Sequence, residues 1–217
     1  MIKFFAVEAQ WGEAAYSAHA EFTATNNAVL PRSKEEFLSL VGDGFVWAAA
    51  DEENQLIGLA YSRYDADTNE WETGGLMVLG PARGKGIGAI LMMLALGAIL
   101  VAEDPLAQTP PPTVLAHVLK RNPLPRGIIS DVMKYHFDHD MQIPPAVLEG
   151  LPVEEDGFVH GDEFHLTVPD SLIALAEFCE TWNGHLRNDE EAQIQLPENY
   201  DLALWAAIFR NMTARSA

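Results

Sequence analysis

The chain has 217 residues and a formal net charge of −19. So acidic a surface repels phosphate backbones, and no basic patch with interleaved aromatics offsets it, which excludes nucleic acid as a partner. With 48% apolar residues and no biased tract, disorder is excluded too, and the length fits one elaborated domain.

Ile2 to Glu8 reads as a first strand, and Glu13 to Thr25 has helical spacing. Ser33 with Glu36 three residues on is a capping-box pattern, so a second helix starts there and ends at Gly42 and Gly44. Phe45 to Ala50 and Leu56 to Tyr64 read as a hairpin around Asp51-Glu52-Glu53-Asn54, and Glu70 to Leu79 as the next strand. A glycine-rich loop follows, then an apolar run from Ile87 to Ala102. That run is shorter than the about 20 residues a bilayer requires, so it predicts a helix buried all round and no membrane span. Its outer face needs a cover, either the C-terminal segment or a second copy of the chain.

Pro105 to Pro112 is a stiff connector, and Thr113 to Leu119 a further strand. Asn122 to Pro125 opens a helix running from about Arg126 to Tyr135. Asp138 to Gly157 reads as an irregular insertion and Phe158 to Val168 as a last strand. Asp170 is the expected N-cap of a helix reaching Trp182. Glu198 to Met212 reads as another helix, with Tyr200, Leu204, Trp205, Ile208 and Phe209 on its apolar side. Residues 1–168 are thus expected to form the main unit and 169–217 a helical extension. The single cysteine, Cys179, sits in an apolar helical pattern and reads as a buried, inert thiol. With no leader pattern after Met1, the expected compartment is the cytoplasm.

Charge is uneven along the chain. Thr73 to Ser130 carries five cations (Arg83, Lys85, Lys120, Arg121, Arg126) and two acids, against eight cations and thirty acids elsewhere. A bound polyphosphate would account for that inversion beside a glycine loop. The loop lies between a strand and a helix, and helix N-termini bind phosphate through unpaired amides. A Walker A loop is rejected: Gly80 to Gly84 leaves three residues where four are required, and Gly86 follows Lys85. Gly84-x-Gly86-x-x-Ala89 satisfies a loose dinucleotide fingerprint, but the strand after the helix ends in Lys120-Arg121 rather than an acid.

The third pattern is Arg83-Gly84-Lys85-Gly86-Ile87-Gly88, with Val78 five residues before it. It resembles the acyl-CoA loop of the GNAT superfamily of N-acetyltransferases, whose usual form is Val-x-Pro-x-x-Arg-Gly-x-Gly-Ile-Gly; Gly80 takes the proline position and Pro81 follows. The order of elements from Ile2 to about Tyr135 is similar as well. The resemblance implies an α/β fold with a mixed, mostly antiparallel, splayed sheet. Its co-substrate would be acetyl-CoA or another acyl-CoA, whose pantetheine pairs with Leu76, Met77 and Val78. The pyrophosphate would lie on Arg83, Gly84, Lys85, Gly86, Ile87 and Gly88, and Asn122 matches the family's pantetheine-side Asn. The implied reaction is acetyl transfer to the amine of a small molecule. A non-catalytic acyl-CoA binder and a nicotinamide-dependent oxidoreductase are the alternatives.

Acyl transfer to an amine needs a base and an acid. Glu72, at even spacing before Val78, is the candidate base. The family's acid is a Tyr seven residues after the Asn, where this chain has Ile129; Ser130 and Tyr135 are the substitutes. His136-Phe137-Asp138-His139-Asp140 and His160-x-x-Glu163-x-His165 lack the His-Glu-x-x-His spacing of zinc hydrolases, so no metal is expected.

Overall fold

The computed structural model describes all residues except 27–28, 146–150, 187–188, 198–199 and 217; the side chains of 189–191 are not described either. Its described strands form one sheet in the order β6-β7-β5-β4-β3-β2-β1-β9-β8. The first half follows the sequence closely: β1 (Ile2–Ala6), α1 (Ala9–Thr25), α2 (Lys34–Gly42), β2 (Val46–Ala50), β3 (Leu56–Asp65), β4 (Glu70–Val78) and α3 (Ile87–Glu103). Both capping-box bonds of α2 are present, Glu36 N–H to Ser33 Oγ at 3.2 Å and Ser33 N–H to Glu36 Oε2 at 3.0 Å.

Antiparallel pairing joins β1, β2, β3 and β4, while β4 and β5 (Thr113–Leu119) run parallel. That parallel pairing covers Glu70 to Glu72 against Thr113 to Leu115. Beyond it the register of β4 on β3 skips: Tyr61 faces Gly74 and Leu59 faces Met77, so Gly75 and Leu76 oppose Ala60 as a β-bulge. Gly75 sits at φ +59°, and a Cβ there would lie 2.0 Å from the Tyr61 ring. Only glycine fits both constraints. The bulge bends the end of β4 away from β5 and opens the sheet into a cleft.

Helix α3 is buried almost throughout, as its sequence requires. One side lies on the sheet. The other is covered by α5 (Asp170–Glu180) and α6 (Leu202–Arg215), whose Trp205 and Phe209 are buried. Trp205 comes so close to α3 that a Cβ on Gly97 would meet its ring at 2.5 Å. The C-terminal segment therefore covers the apolar helix, and none of the described helices is long and apolar enough to cross a membrane. On the opposite side of the sheet, α1 and α2 enclose a second core around Phe37, Leu59, Tyr61 and Met77.

Several expectations for the second half are corrected. The helix after Asn122 is shorter, α4 (Leu124–Gly127) continued by a π-helical turn at Ile128–Val132. The supposed insertion contains a strand, β6 (His136–Ile143), antiparallel to β7 (Val159–His165), and its residues 146–150 lie outside the described ones. Asp170 is the first residue of α5, not its cap; Pro169 takes that position and the Ser171 hydroxyl accepts from Thr167 N–H. The extension is not purely helical, since β9 (Asp189–Gln195) pairs in parallel with β1, and β8 (His185–Leu186) pairs with β9. The last helix starts at Leu202, where Asp201 accepts from Leu204 N–H, and Leu204 is exposed. Glu198 lies outside the described residues. Cys179 is buried, and burial pushes its thiol up to about 12, as expected of an inert sulfur.

Candidate active site

The cleft between β4 and β5 has two connected parts. The larger is a groove of about 480 Å³ bordered by Leu76, Val78, Arg83, Gly84, Gly86 to Ala89, Asn122, Leu124 and Ile128. Gly86, at φ +93°, is the N-cap of α3 and offers no side chain. The amides of Ile87 and Gly88 in the first turn have no acceptor within the helix, and the helix dipole adds positive potential there. Gly88 keeps the groove open: a Cβ would lie 3.2 Å from Ile128 and 3.4 Å from Leu76. A start of helix with bare backbone at the end of a narrow groove fits a diphosphate joined to an extended arm.

The cofactor residues expected from the sequence fall into two groups. Gly84, Gly86, Ile87, Gly88, Leu76, Val78 and Asn122 border the groove. Leu79 N–H donates to Ile57 O, so by strand alternation the polar groups of Val78 point away from β3 into the cleft. Arg83 Nε already donates to Val78 O at 2.9 Å. Met77 is a correction: it faces Leu59 on β3, and its side chain is buried in the α1/α2 core. Lys85 lies outside the groove lining. The other cations have protein partners. Lys120 pairs with Asp140 at 2.5 Å, Arg126 with Asp162, and Arg121 donates to Pro152 O at 2.7 Å. The local excess of positive charge is met by acids that β6 and β7 bring from farther along the chain.

The smaller part, about 130 Å³, is bordered by Arg32, Tyr61, Glu72 to Leu76, Ala116 to Leu119, Asn122, Ile129, Met141 and Ile143. Its polar wall is a chain of side chains from different elements. Glu72 Oε1 accepts from His117 Nδ1 at 3.0 Å, and Glu163 Oε2 accepts from His117 Nε2 at 3.0 Å. Arg63 and Arg32 lie 3.5 and 3.9 Å from Glu72. Against the cost of burial, the His117 contact and the two guanidinium groups pull the Glu72 carboxyl down to about 2. Burial would lower His117, but its two carboxylate partners outweigh that and raise it above the ordinary imidazole value. With a carboxylate on each ring nitrogen, both must donate, so His117 rests as the imidazolium.

Glu72 is thus at the cleft but too firmly ionised to be an effective base by itself. Neither expected acid borders the cleft. Ser130 Oγ donates to Arg126 O at 2.9 Å and lies near Asp131, beside α4. Tyr135 is 3% exposed, and its hydroxyl, raised by burial, faces Thr73 inside the core. His117 was missed because it is one histidine in an ordinary strand pattern. The signal that could have found it is its strand position opposite Glu163 and two residues beyond Leu115, which faces Glu72.

Residues 11–101 match the model of the acetyltransferase (GNAT) family, and about three quarters of the chain shares its fold with solved acetyltransferase structures. Similar solved structures include an acetyltransferase of Acinetobacter baylyi, at 15% identity over 77% of this chain and 92% of that one, with a TM-score of 0.58. Another is a phosphinothricin acetyltransferase of Sinorhizobium meliloti in complex with acetyl-CoA, at 16% identity over 76% and 86%, TM-score 0.57. A diaminobutyrate acetyltransferase of Paenibacillus lautus, bound to L-2,4-diaminobutyric acid and coenzyme A, is 11% identical over 76% and 95%, TM-score 0.55. No curated protein matches the chain in sequence.

Proposed function

We propose that the protein transfers an acetyl group from acetyl-CoA, or the acyl group of another acyl-CoA, to the amine of a small molecule. The observation that carries this reading is the adjacency of the two spaces: the glycine-capped groove and the cavity walled by Glu72 and His117 share Leu76 and Asn122 in their linings. A passive binder would need the groove alone; the cavity adds a proton-accepting group.

In this mechanism the pantetheine lies along Leu76 and Val78 and places the thioester at the junction of groove and cavity. An ammonium acceptor is drawn in by Glu72 and Glu163, and two cations cannot share the site, so His117 gives up its proton to solvent as the acceptor binds. Neutral imidazole then takes the ammonium proton, returning to the doubly hydrogen-bonded imidazolium. The free amine attacks the thioester carbonyl, a carbon–nitrogen bond forms and the carbon–sulfur bond breaks, and the proton that the nitrogen sheds on becoming an amide passes through water in the open groove to the leaving thiolate. Positioning by the cleft supplies much of the rate.

The strongly acidic surface and the carboxylates at the cavity favour cationic acceptors, and small amines such as the diaminobutyrate of the Paenibacillus relative suit a cavity of about 130 Å³. The test is thiol release from acetyl-CoA over a panel of mono- and diamines, with wild type and His117→Asn. Turnover with an amine, reduced in His117→Asn while coenzyme A affinity is kept, is the expected result. Tight coenzyme A binding with no turnover on any amine would favour the binder.

A further inference from the structure

The two histidine-rich stretches that look unrelated in sequence are neighbouring strands. In the β6/β7 register His136 faces His165 and His139 faces Glu163, while a bulge between Phe137 and His139 leaves Asp138 as the extra residue. Without the bulge, Asp138 and His139 would point to opposite sides of the strand; with it, His136, Asp138, His139, Glu163 and His165 crowd one side. Phe137 and Phe164 take the other, their rings 5.9 Å apart.

We propose that His136, Asp138 and His165 form a three-ligand site for a divalent transition-metal ion of the zinc type, with water completing the coordination. One ligand atom from each of the three lies within 4.8 Å of the others. His165 Nδ1 stands 3.9 Å from Asp138 Oδ1, and a small side-chain rotation would bring both to the about 3.3 Å that two ligands of a shared tetrahedral ion adopt. Two imidazoles with one carboxylate suit zinc and its first-row neighbours rather than calcium or magnesium.

The outer contacts strengthen the assignment, because each ligand has its other polar atom already held. His165 Nε2 donates to Glu163 Oε1 at 2.6 Å. His136 Nδ1 is hydrogen-bonded to Thr167 Oγ1 at 3.1 Å, leaving its second nitrogen. Asp138 Oδ2 accepts from His139 Nδ1 at 2.8 Å, leaving Oδ1. Metal-binding histidines ordinarily have such partners, which fix the tautomer and the ring plane. A second grouping, Asp138, His139 and Glu163, shares Asp138 and has one imidazole instead of two. Its other two members, His139 and Glu163, serve as outer contacts of the first.

The ion would staple the edge strand β6 to β7. Because Met141 and Ile143 of β6 border the acceptor cavity, it would also hold one wall of that cavity. That consequence rests on the acetyl-transfer reading; the binding itself does not.

The experiment is equilibrium dialysis of tag-free protein against Zn²⁺, with metal counted by mass spectrometry, and Co²⁺ in parallel for the visible bands of a four-coordinate site. Wild type is expected to take up one ion per chain and to melt at a higher temperature when loaded. His136→Ala, Asp138→Asn and His165→Ala should each lose the site, and Thr167→Val should weaken it about tenfold. His160→Gln, whose native ring pairs with Asp156 outside the cluster, should bind as wild type. Circular dichroism checks folding; should His165→Ala unfold, the exposed Asp138 and His136 variants decide. No uptake by wild type, uptake indifferent to His136→Ala and Asp138→Asn, or a site lost in His139→Ala but kept in His136→Ala would each overturn the proposal.

Discussion

The two ends of the cleft are built by different means. The proposed cofactor end centres on one continuous segment, Leu76 to Ala89, closed on its far side by Asn122, Leu124 and Ile128, and most of what that segment offers is backbone: a turn, a helix start and missing side chains. The acceptor end is assembled from side chains that are far apart in sequence, Arg32 before α2, Glu72 on β4, His117 on β5 and Glu163 on β7. A backbone site tolerates change at its rim, whereas a side-chain network fails when one member goes, because each remaining charge loses its partner.

The largest expected effect therefore falls on the acceptor end. His117→Ala should lower kcat by about 10²- to 10⁴-fold with little change in the KM for acetyl-CoA, as steady-state kinetics would show. An equal loss in both parameters would mean that the two ends are not separable. Next is the bulge that divides them. Gly75→Ala forces a Cβ into Tyr61 at φ +59°, and denaturant unfolding should show a loss of roughly 3 kcal/mol.

At the cofactor end the effect should be smaller and of the opposite kind. Arg83→Ala removes a cation at the groove and its bond to Val78 O, and is expected to raise the KM for acetyl-CoA about tenfold with kcat nearly unchanged. Lys85→Ala, outside the lining, should do less, and a larger effect there would redraw the groove.

The pH response sharpens the same contrast. His117 is held above its ordinary 6.5, so the folded state keeps that proton longer than the unfolded one. Its contribution to stability is full below about 6.5 and is lost as pH rises through the raised value. Glu72 works the other way: its contribution is present above the ordinary 4.5 and fades as pH falls toward about 2. Activity should rise with pH over the window in which His117 stability is lost, since neutral imidazole is the working form. Melting curves and pH profiles of wild type and His117→Asn check this, and the variant should lose the alkaline limb of both. The smallest expected effect is remote from the cleft. Ser33→Ala removes the α2 cap and should cost about 1 kcal/mol with no change in kinetics.

Local chemistry was legible in the residues themselves. The capping box at Ser33, the hairpin around Asp51 to Asn54, the all-apolar helix and the glycine loop each depend on interactions within a few positions, so spacing suffices to state them. Strand β6 was not legible: its exposed, polar, histidine-rich sequence has no buried face to give it period-two alternation, and it is an edge strand whose backbone pairs with β7. Tyr135 and Ser130 were read from their distance to Asn122, but the π-helical turn at Ile128–Val132 changes which way the residues within and beyond it point.

By itself the sequence determined the glycine-approached helix start on which the proposed phosphate site rests, because a turn and the first amides of a helix are set by neighbouring residues. Only the tertiary structure decided which carboxylates flank His117 and which histidines face each other. Those meetings are set by strand register, and a register, with its bulges at Gly75 and Asp138, exists only once the strands have paired.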